Sequence, residues 1–189
     1  GGLGPVPAGS AWRNSNEPPL VFTGFTTETL NKYEPLLRQI GNTAVQGGAT
    51  AGALTAKPAP GWEHALNPGE AVSGVLVSGD MSTTGMGTVT YNDGKRILAF
   101  GHQFFDLGPV DMPIAKSEIL TVLSSAYQPN KVGNATEVVG ALKQDRFTGI
   151  MGELGAEAPV IPVHVKVRAY GDNGQVVKEK DLNFSVFVQ

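Results

Sequence analysis

The chain of 189 residues contains no cysteine, so disulfides, thiolate nucleophiles and thiolate metal sites are all excluded. Charged residues are also scarce, at 16%, and the formal net charge is −3 without any run of basic residues. Nucleic acids and anionic membrane surfaces attract proteins mainly through clustered positive charge. We therefore expect neither as a partner.

Long apolar runs and metal-ligand spacings are missing as well. No apolar stretch approaches the length that spans a bilayer, so no membrane span is predicted. His64, His102 and His164 lie far apart and show no two-ligand spacing, and the segment GDMSTTGMG lacks the lysine of a phosphate-binding loop. The sequence therefore predicts no metal and no cofactor. It begins GGLGPVP, without Met or signal peptide, which favours a processed product or a portion of a longer protein.

What is abundant is glycine, at 25 residues, together with Thr, Val and Ser. Low charge with this composition is typical of a β-rich protein that leaves the cell. We predict a mainly β fold with two parts. Residues 1–60 form a Gly/Pro-rich arm (1–20), a short helix and a flexible connector (42–60) that could hold an edge strand, and residues 61–189 form a β domain.

The short helix is predicted from apolar spacing after Thr26 or Thr27, either of which can cap its first turn. Gly41 is expected to end it, and Pro35 inside it is expected to cause a kink or to divide it into two short turns. The apolar face of this helix comprises Leu30, Tyr33, Leu36, Leu37 and Ile40.

The β domain is predicted from period-2 alternation between turn residues. Strands are expected at 71–77, at 138–142 and, with an irregular entry, within 110–125, while Gly149, Gly152 and Gly155 indicate a loop. Two hairpins are the clearest elements. One covers 85–105 and turns at Asn92-Asp93-Gly94; the other is C-terminal, with strands around 163–169 and 182–188.

The first hairpin runs directly into His102, after a glycine that lets the backbone bend. An imidazole at the end of a rigid strand is well placed for proton transfer, although a histidine here could also only cap or pack the strand end. His164 lies on the charged face of its strand and is interpreted as a solvated residue.

Serine catalysis needs a hydroxyl, a histidine base and an orienting carboxylate. Asp145 is a candidate carboxylate, with a surface ion pair to Arg146 or Lys143 as the alternative interpretation, and Asp106 and Asp111 are closer to His102 in sequence. No serine has the sharp glycine-flanked turn that exposes a nucleophile. Those considered are Ser82, expected in a loop, and Ser124 and Ser125, which follow an apolar strand. On its own residues the chain lacks a convincing triad.

Four segments together resemble the SpoIVB-type serine peptidase family, in the form found in secreted bacterial proteins outside the spore formers. They cover a little over half of the chain, and AFGH with its upstream hairpin is the most specific part. The segments are LNPGEAVSGVLVSGD (66–80), GTVTYNDGKRILAFGHQFF (87–105), VGALKQDRFTGIMGELG (139–155) and VIPVHV (160–165).

The resemblance implies a trypsin-like β-barrel, or a partly open one, with His102 as general base and Asp145 as the triad acid. The family's serine lies in a Gly-Met-Ser-Gly-Ser-Pro motif that this chain does not contain. Gln103 also stands where the family commonly has proline. We therefore expect the nucleophile in an upstream segment or chain, a protein or peptide substrate, and a secreted, periplasmic or cell-surface location.

A second hypothesis is a non-catalytic β-module of a secreted or cell-surface protein, used for binding or assembly. The arm at 1–20 and the C-terminal hairpin favour it, because both could pack against neighbouring chains and allow self-association.

Overall fold

A computed structural model describes residues 19–39, 42–48, 54–55, 57–123 and 130–188. Its main content is β-structure, as predicted. One α-helix, α1, covers Thr27–Gln39, and a short 3-10 turn covers Trp62–His64. The strands are β1 (Leu20–Thr23), β2 (Ala44–Gln46), β3 (Ala71–Gly79), β4 (Ser82–Asn92), β5 (Arg96–Ala99), β6 (Gly108–Leu123), β7 (Asn130–Arg146), β8 (Gly149–Leu154), β9 (Val160–Tyr170) and β10 (Val176–Phe187).

Six of these strands follow one another in a ring-like arrangement. The order is β3-β4-β5-β8-β7-β6, and β6 pairs again with β3, so each ring strand has two antiparallel neighbours. The order departs from chain order after β5, because β8 enters between β5 and β7. The ring closes through three residue pairs between β3 and β6, so each of the six strands has a neighbour on both sides over part of its length.

The remaining strands extend the sheet outside the ring. β1 pairs with the first residues of β4, and β2 pairs in parallel with β1, so residues that precede the predicted β domain join its sheet. The C-terminal hairpin is confirmed: β9 and β10 pair over most of their length, and β10 joins β3 only at Phe184, Ser185 and Val186. The rest of the hairpin projects from the sheet with most of its side chains exposed.

The predicted helix is confirmed as one continuous element. The Thr26 hydroxyl accepts a hydrogen bond from the Thr29 amide at 3.2 Å, which makes Thr26 the N-cap. Pro35 lies inside the helix without dividing it. Leu30 is the one buried apolar side chain of α1, and the predicted end at Gly41 lies outside the described residues. Across the described ranges, no helix is long and apolar enough to cross a membrane.

Apolar side chains from the ring strands form the main core. Val72, Ile97, Ile114 and Leu142 come from four different strands and are all fully buried. Phe104, from the segment between β5 and β6, joins the same core and is 1% exposed. Burial of one such side chain contributes about 1.5–3 kcal/mol, so this core is the main source of stability.

The prediction of a loop around Gly149, Gly152 and Gly155 is wrong, because residues 149–154 form strand β8. Ile150, Gly152 and Leu154 alternate inward, but the middle position carries no side chain to mark the pattern. A Cβ at Gly152 would lie 2.8 Å from the Cδ1 of Ile114, so the glycine permits close packing of the strand on the core.

The turn between β4 and β5 gives a prediction about pH. The Asp93 carboxylate accepts hydrogen bonds from the amides of Arg96 at 2.6 Å and Lys95 at 3.0 Å, and Gly94 takes a φ of 88°. These bonds, that from Arg96 first and that from Lys95 next, hold the pKa of Asp93 below its ordinary value of 3.8.

A carboxyl whose pKa is lower in the folded than in the unfolded state stabilises the fold above the unfolded pKa, and this contribution is lost as the pH falls through the folded pKa. Wild type is therefore expected to be more stable than Asp93→Ala near pH 7, with a difference that shrinks below about pH 4. Urea midpoints of both proteins across this range measure it. A pH-independent difference would contradict the assignment.

Candidate functional site

His102 lies in the loop of residues 100–107, which connects β5 to β6 and is hereafter the histidine loop. Phe100 and Gly101 take φ values of 73° and 76°, so two successive left-handed residues reverse the chain immediately before the imidazole. A positive φ is costly for an aromatic residue, about 1–3 kcal/mol, and persists only where the surrounding structure enforces it. The bend was predicted at Gly101, but the strained residue is Phe100.

Aromatic packing holds this strained bend in place. The Phe100 ring lies 5.6 Å from the His102 ring and 5.5 Å from the Phe104 ring, centroid to centroid. It also covers Gly87 of β4, where a Cβ would lie only 2.0 Å from the Cδ1 of Phe100. The glycine therefore provides the space for the ring that supports His102. No feature of the sequence pattern indicated this contact.

Asp145 organises the second half of the histidine loop from the end of β7. Its side chain is buried, with the residue 1% exposed, and its carboxylate accepts hydrogen bonds from three backbone amides. Oδ1 accepts from Phe104 at 2.7 Å, while Oδ2 accepts from Phe105 at 2.7 Å and from Leu107 at 3.3 Å. Three donors on one buried carboxylate fix the loop against the core.

The expected carboxylate contact to His102 is absent from the hydrogen bonds of the described residues. The Nδ1 of His102 lies instead 2.6 Å from the backbone carbonyl oxygen of Gln103. Because a carbonyl only accepts, Nδ1 must carry the proton, and the neutral ring then has its basic lone pair on Nε2. Asp145 positions the loop, and the Gln103 carbonyl fixes the tautomer.

The surface ion pair considered for Asp145 does not form. Lys143 binds Asp111 with an Nζ–Oδ1 distance of 2.7 Å, and the Arg146 guanidinium donates to the Oε1 of Gln144 at 2.6 and 2.9 Å. Arg146 follows Asp145 directly and so points to the opposite face of β7, whereas Lys143 is held by Asp111 and lies beside a register shift between Leu142 and Gln144. Asp145 therefore lies inside while Gln144 and Arg146 share the outer face.

The other candidate residues lie elsewhere. Ser82 was expected in a loop, but it is the buried first residue of β4, where it pairs with Thr23 of β1. Ser124 and Ser125 fall outside the described residues. Asp106 is exposed in the histidine loop with a φ of 57°, and Asp111 is engaged with Lys143.

The two other histidines are exposed and belong to other elements. His64 belongs to the 3-10 turn, and the Nε2 of His164 lies 3.2 Å from the Oδ1 of Asp181 on the outer hairpin. The solvated surface position predicted for His164 is thus observed. Over the part of the chain that the structure describes, no three His, Asp or Glu side chains gather closely enough to hold a metal ion.

An open groove of about 500 Å³ lies beside the histidine loop on the outer face of the ring. We name it the Leu98 groove. Gly101, which precedes His102, contributes to its wall, and Leu98 is 46% exposed on it. Sequence analysis did not identify this surface, because a leucine on a short strand becomes part of a groove only once β7 and β8 are in place. The lining residues are Thr90, Leu98, Ala99, Gly101, Gln144, Arg146, Thr148, Gly149, Ile150 and Met151.

With this geometry in view, we compared the chain with known proteins. No protein-family model matches it, and searches of the curated proteins and of the solved structures return no significant match.

Proposed function

We propose that this chain is the histidine-bearing part of a secreted serine endopeptidase similar to the SpoIVB family, with His102 as its general base. The observation that carries the proposal is the construction of the histidine loop. A strained Phe100 and a buried Asp145 both serve to hold one short segment, and that segment presents an imidazole whose Nδ1 is already bound. Strain and buried charge concentrate where a side chain must be held for chemistry.

The proposed chemistry follows from the tautomer. With Nδ1–H donated to the Gln103 carbonyl, Nε2 is the nitrogen that accepts the proton of an attacking hydroxyl and later returns it to the leaving amine. Asp145 is a positioning residue and not the orienting carboxylate expected of a triad, because its two oxygens accept from loop amides; the Gln103 carbonyl holds Nδ1–H in that carboxylate's place. The hydroxyl itself comes from a serine outside these 189 residues.

The fold supports the same proposal. The resemblance implies a trypsin-like barrel in which a strand-turn-strand unit leads into the histidine. The ring of six antiparallel strands is compatible with such a barrel, and β4, its turn and β5 lead directly to His102. Because folds host many functions, this agreement supports a barrel only, whereas the support for catalysis comes from the histidine loop.

Serine-directed labelling tests the proposal. In the longer protein that includes the segment encoded before Gly1, a fluorophosphonate probe is expected to label a serine, and His102→Ala is expected to lower the labelling rate by roughly six orders of magnitude. The 189-residue chain alone is expected to remain unlabelled and inactive. Gel fluorescence and mass spectrometry of the labelled peptide measure both results.

His164→Ala is the matched control, because it removes an exposed imidazole from the outer hairpin and should leave labelling unchanged. Turnover of a peptide by the isolated chain would refute the external serine. A longer protein that resists labelling would refute the peptidase assignment.

A second candidate function is a non-catalytic module for binding or self-association. The observation that favours it is strand β9, which pairs only with β10 among the described strands and exposes Ile161, Val165 and Val167. Free strand edges recruit further strands. This function replaces the first if the longer protein is not labelled.

A further inference from the structure

The floor of the Leu98 groove is a row of three side chains from neighbouring strands. Leu98 of β5 is the register partner of Met151 of β8, which is in turn the partner of Gln144 of β7. Two strand spacings separate the ends of this row, or about 10 Å. The first two positions are apolar, so the floor can accept an apolar side chain of a single residue.

Arg146 carries the only charge among the ten lining residues. It stands two residues after Gln144 on the same face of β7. Its Nε and one terminal nitrogen both donate hydrogen bonds to the Oε1 of Gln144. No carboxylate of the described residues lies within salt-bridge distance of it, whereas Lys143, three residues earlier on β7, is paired with Asp111. The guanidinium is thus oriented by a neutral partner and keeps its remaining N–H groups for another acceptor.

We propose that the Leu98 groove binds an extended peptide, with an apolar side chain on Leu98 and Met151 and a peptide carboxylate on Arg146. The inference rests on the proposed function in taking this peptide as the substrate of the His102 site. Gly101 joins the two, because it lines the groove and directly precedes His102. His102 itself is not among the lining residues, so the groove and the imidazole are connected through the backbone at Gly101.

Charge and shape together favour a peptide over a small inorganic anion. An anion would satisfy Arg146 but leave the exposed Leu98 in water, whereas a peptide covers the apolar floor and supplies the acceptor. The carboxylate can be a C-terminal carboxylate or an acidic side chain, and both present the same two oxygens to the guanidinium. The experiment separates these sources.

The test is an NMR titration of the 15N-labelled 189-residue chain, which reports binding without any catalytic step. Three acetylated peptides serve as probes: alanyl-leucyl-alanine with a free C-terminus, the same peptide amidated, and amidated alanyl-leucyl-glutamate. Binding is expected to shift the amide signals of Gly101, Gly149 and Met151. The amidated neutral peptide should bind about tenfold more weakly than the better of the two carboxylate peptides, as expected for loss of one charge-assisted pair.

Arg146→Gln should remove the preference for a carboxylate, and Leu98→Asp should abolish binding of all three peptides. Arg96→Gln is the matched control, since it removes an exposed arginine from the same strand as Leu98 but outside the groove. Unchanged HSQC dispersion shows that each variant folds.

The outcomes are distinguishable from those of the labelling experiment. Preference for the free C-terminus assigns a terminal carboxylate, and preference for the glutamate peptide assigns an acidic side chain. Equal binding of charged and neutral peptides, or equal binding to wild type and Arg146→Gln, overturns the inference even if the longer protein is labelled. Carboxylate-dependent binding to a protein that resists labelling retains the groove and rejects the peptidase.

Discussion

Asp145→Ala is expected to destabilise the folded chain by about 3–5 kcal/mol, because it leaves buried amides without their acceptor. The amides of Phe104, Phe105 and Leu107 all donate to this carboxylate, and Phe104 is itself in the core. A loss of this size is a large fraction of the stability of a domain. Urea denaturation followed by tryptophan fluorescence and circular dichroism measures it.

Two further variants separate the causes. Asp145→Asn keeps the volume but turns an NH2 group toward amide donors, so we expect a loss of about 1–3 kcal/mol without a cavity. Asp172→Ala removes a carboxylate from the exposed turn of the outer hairpin and should change stability by less than about 0.5 kcal/mol. Equal stabilities of Asp145→Ala and Asp172→Ala would show that the three hydrogen bonds contribute nothing.

Phe104→Ala is expected to cost about 3–5 kcal/mol, through lost burial and the cavity that remains. The ring is 1% exposed and lies so close to Gly85 of β4 that a Cβ there would approach its Cε2 to 2.1 Å. The strands cannot close this space readily, because the ring-like pairing fixes their spacing. The same denaturation measurements apply.

Phe147→Ala is the control for this substitution. Phe147 lies in the turn between β7 and β8 with 76% of its surface exposed, so its removal should leave the free energy of unfolding nearly unchanged. If Phe104→Ala were no more destabilising than Phe147→Ala, the histidine loop would not be anchored in the core as described.

The sequence predicts best the elements whose pairing is local. The β4–β5 hairpin was predicted from alternation in its first strand, a short apolar second strand and the turn residues between them, and the C-terminal hairpin from alternation in both strands. β8 was missed because glycine occupies one of its inward positions, and β1 because four residues give too short a pattern. The ring order was not predicted, since the entry of β8 between β5 and β7 depends on tertiary packing.

The same contrast between local sequence signals and tertiary packing applies to the candidate site. His102 was identified from its position after a strand, and Asp145 from the resemblance, but the sequence could not show how they are related in space. Their relation depends on the register of β6 and β7, in which Gly108 pairs with Asp145. The Gln103 carbonyl as partner of Nδ1 was equally inaccessible, because a backbone acceptor leaves no sequence signal.

The anchorage of the histidine loop by β7 couples the formation of the site to the assembly of the whole sheet. Residues 104–107 are adjacent to β5 along the chain, yet the acceptor for their amides arrives some 40 residues later. A nascent or partly assembled chain that has formed only the β4–β5 hairpin therefore cannot hold the imidazole in its final orientation. The orientation of the His102 imidazole is thus a property of the completed tertiary structure, in which β7 packs against the loop.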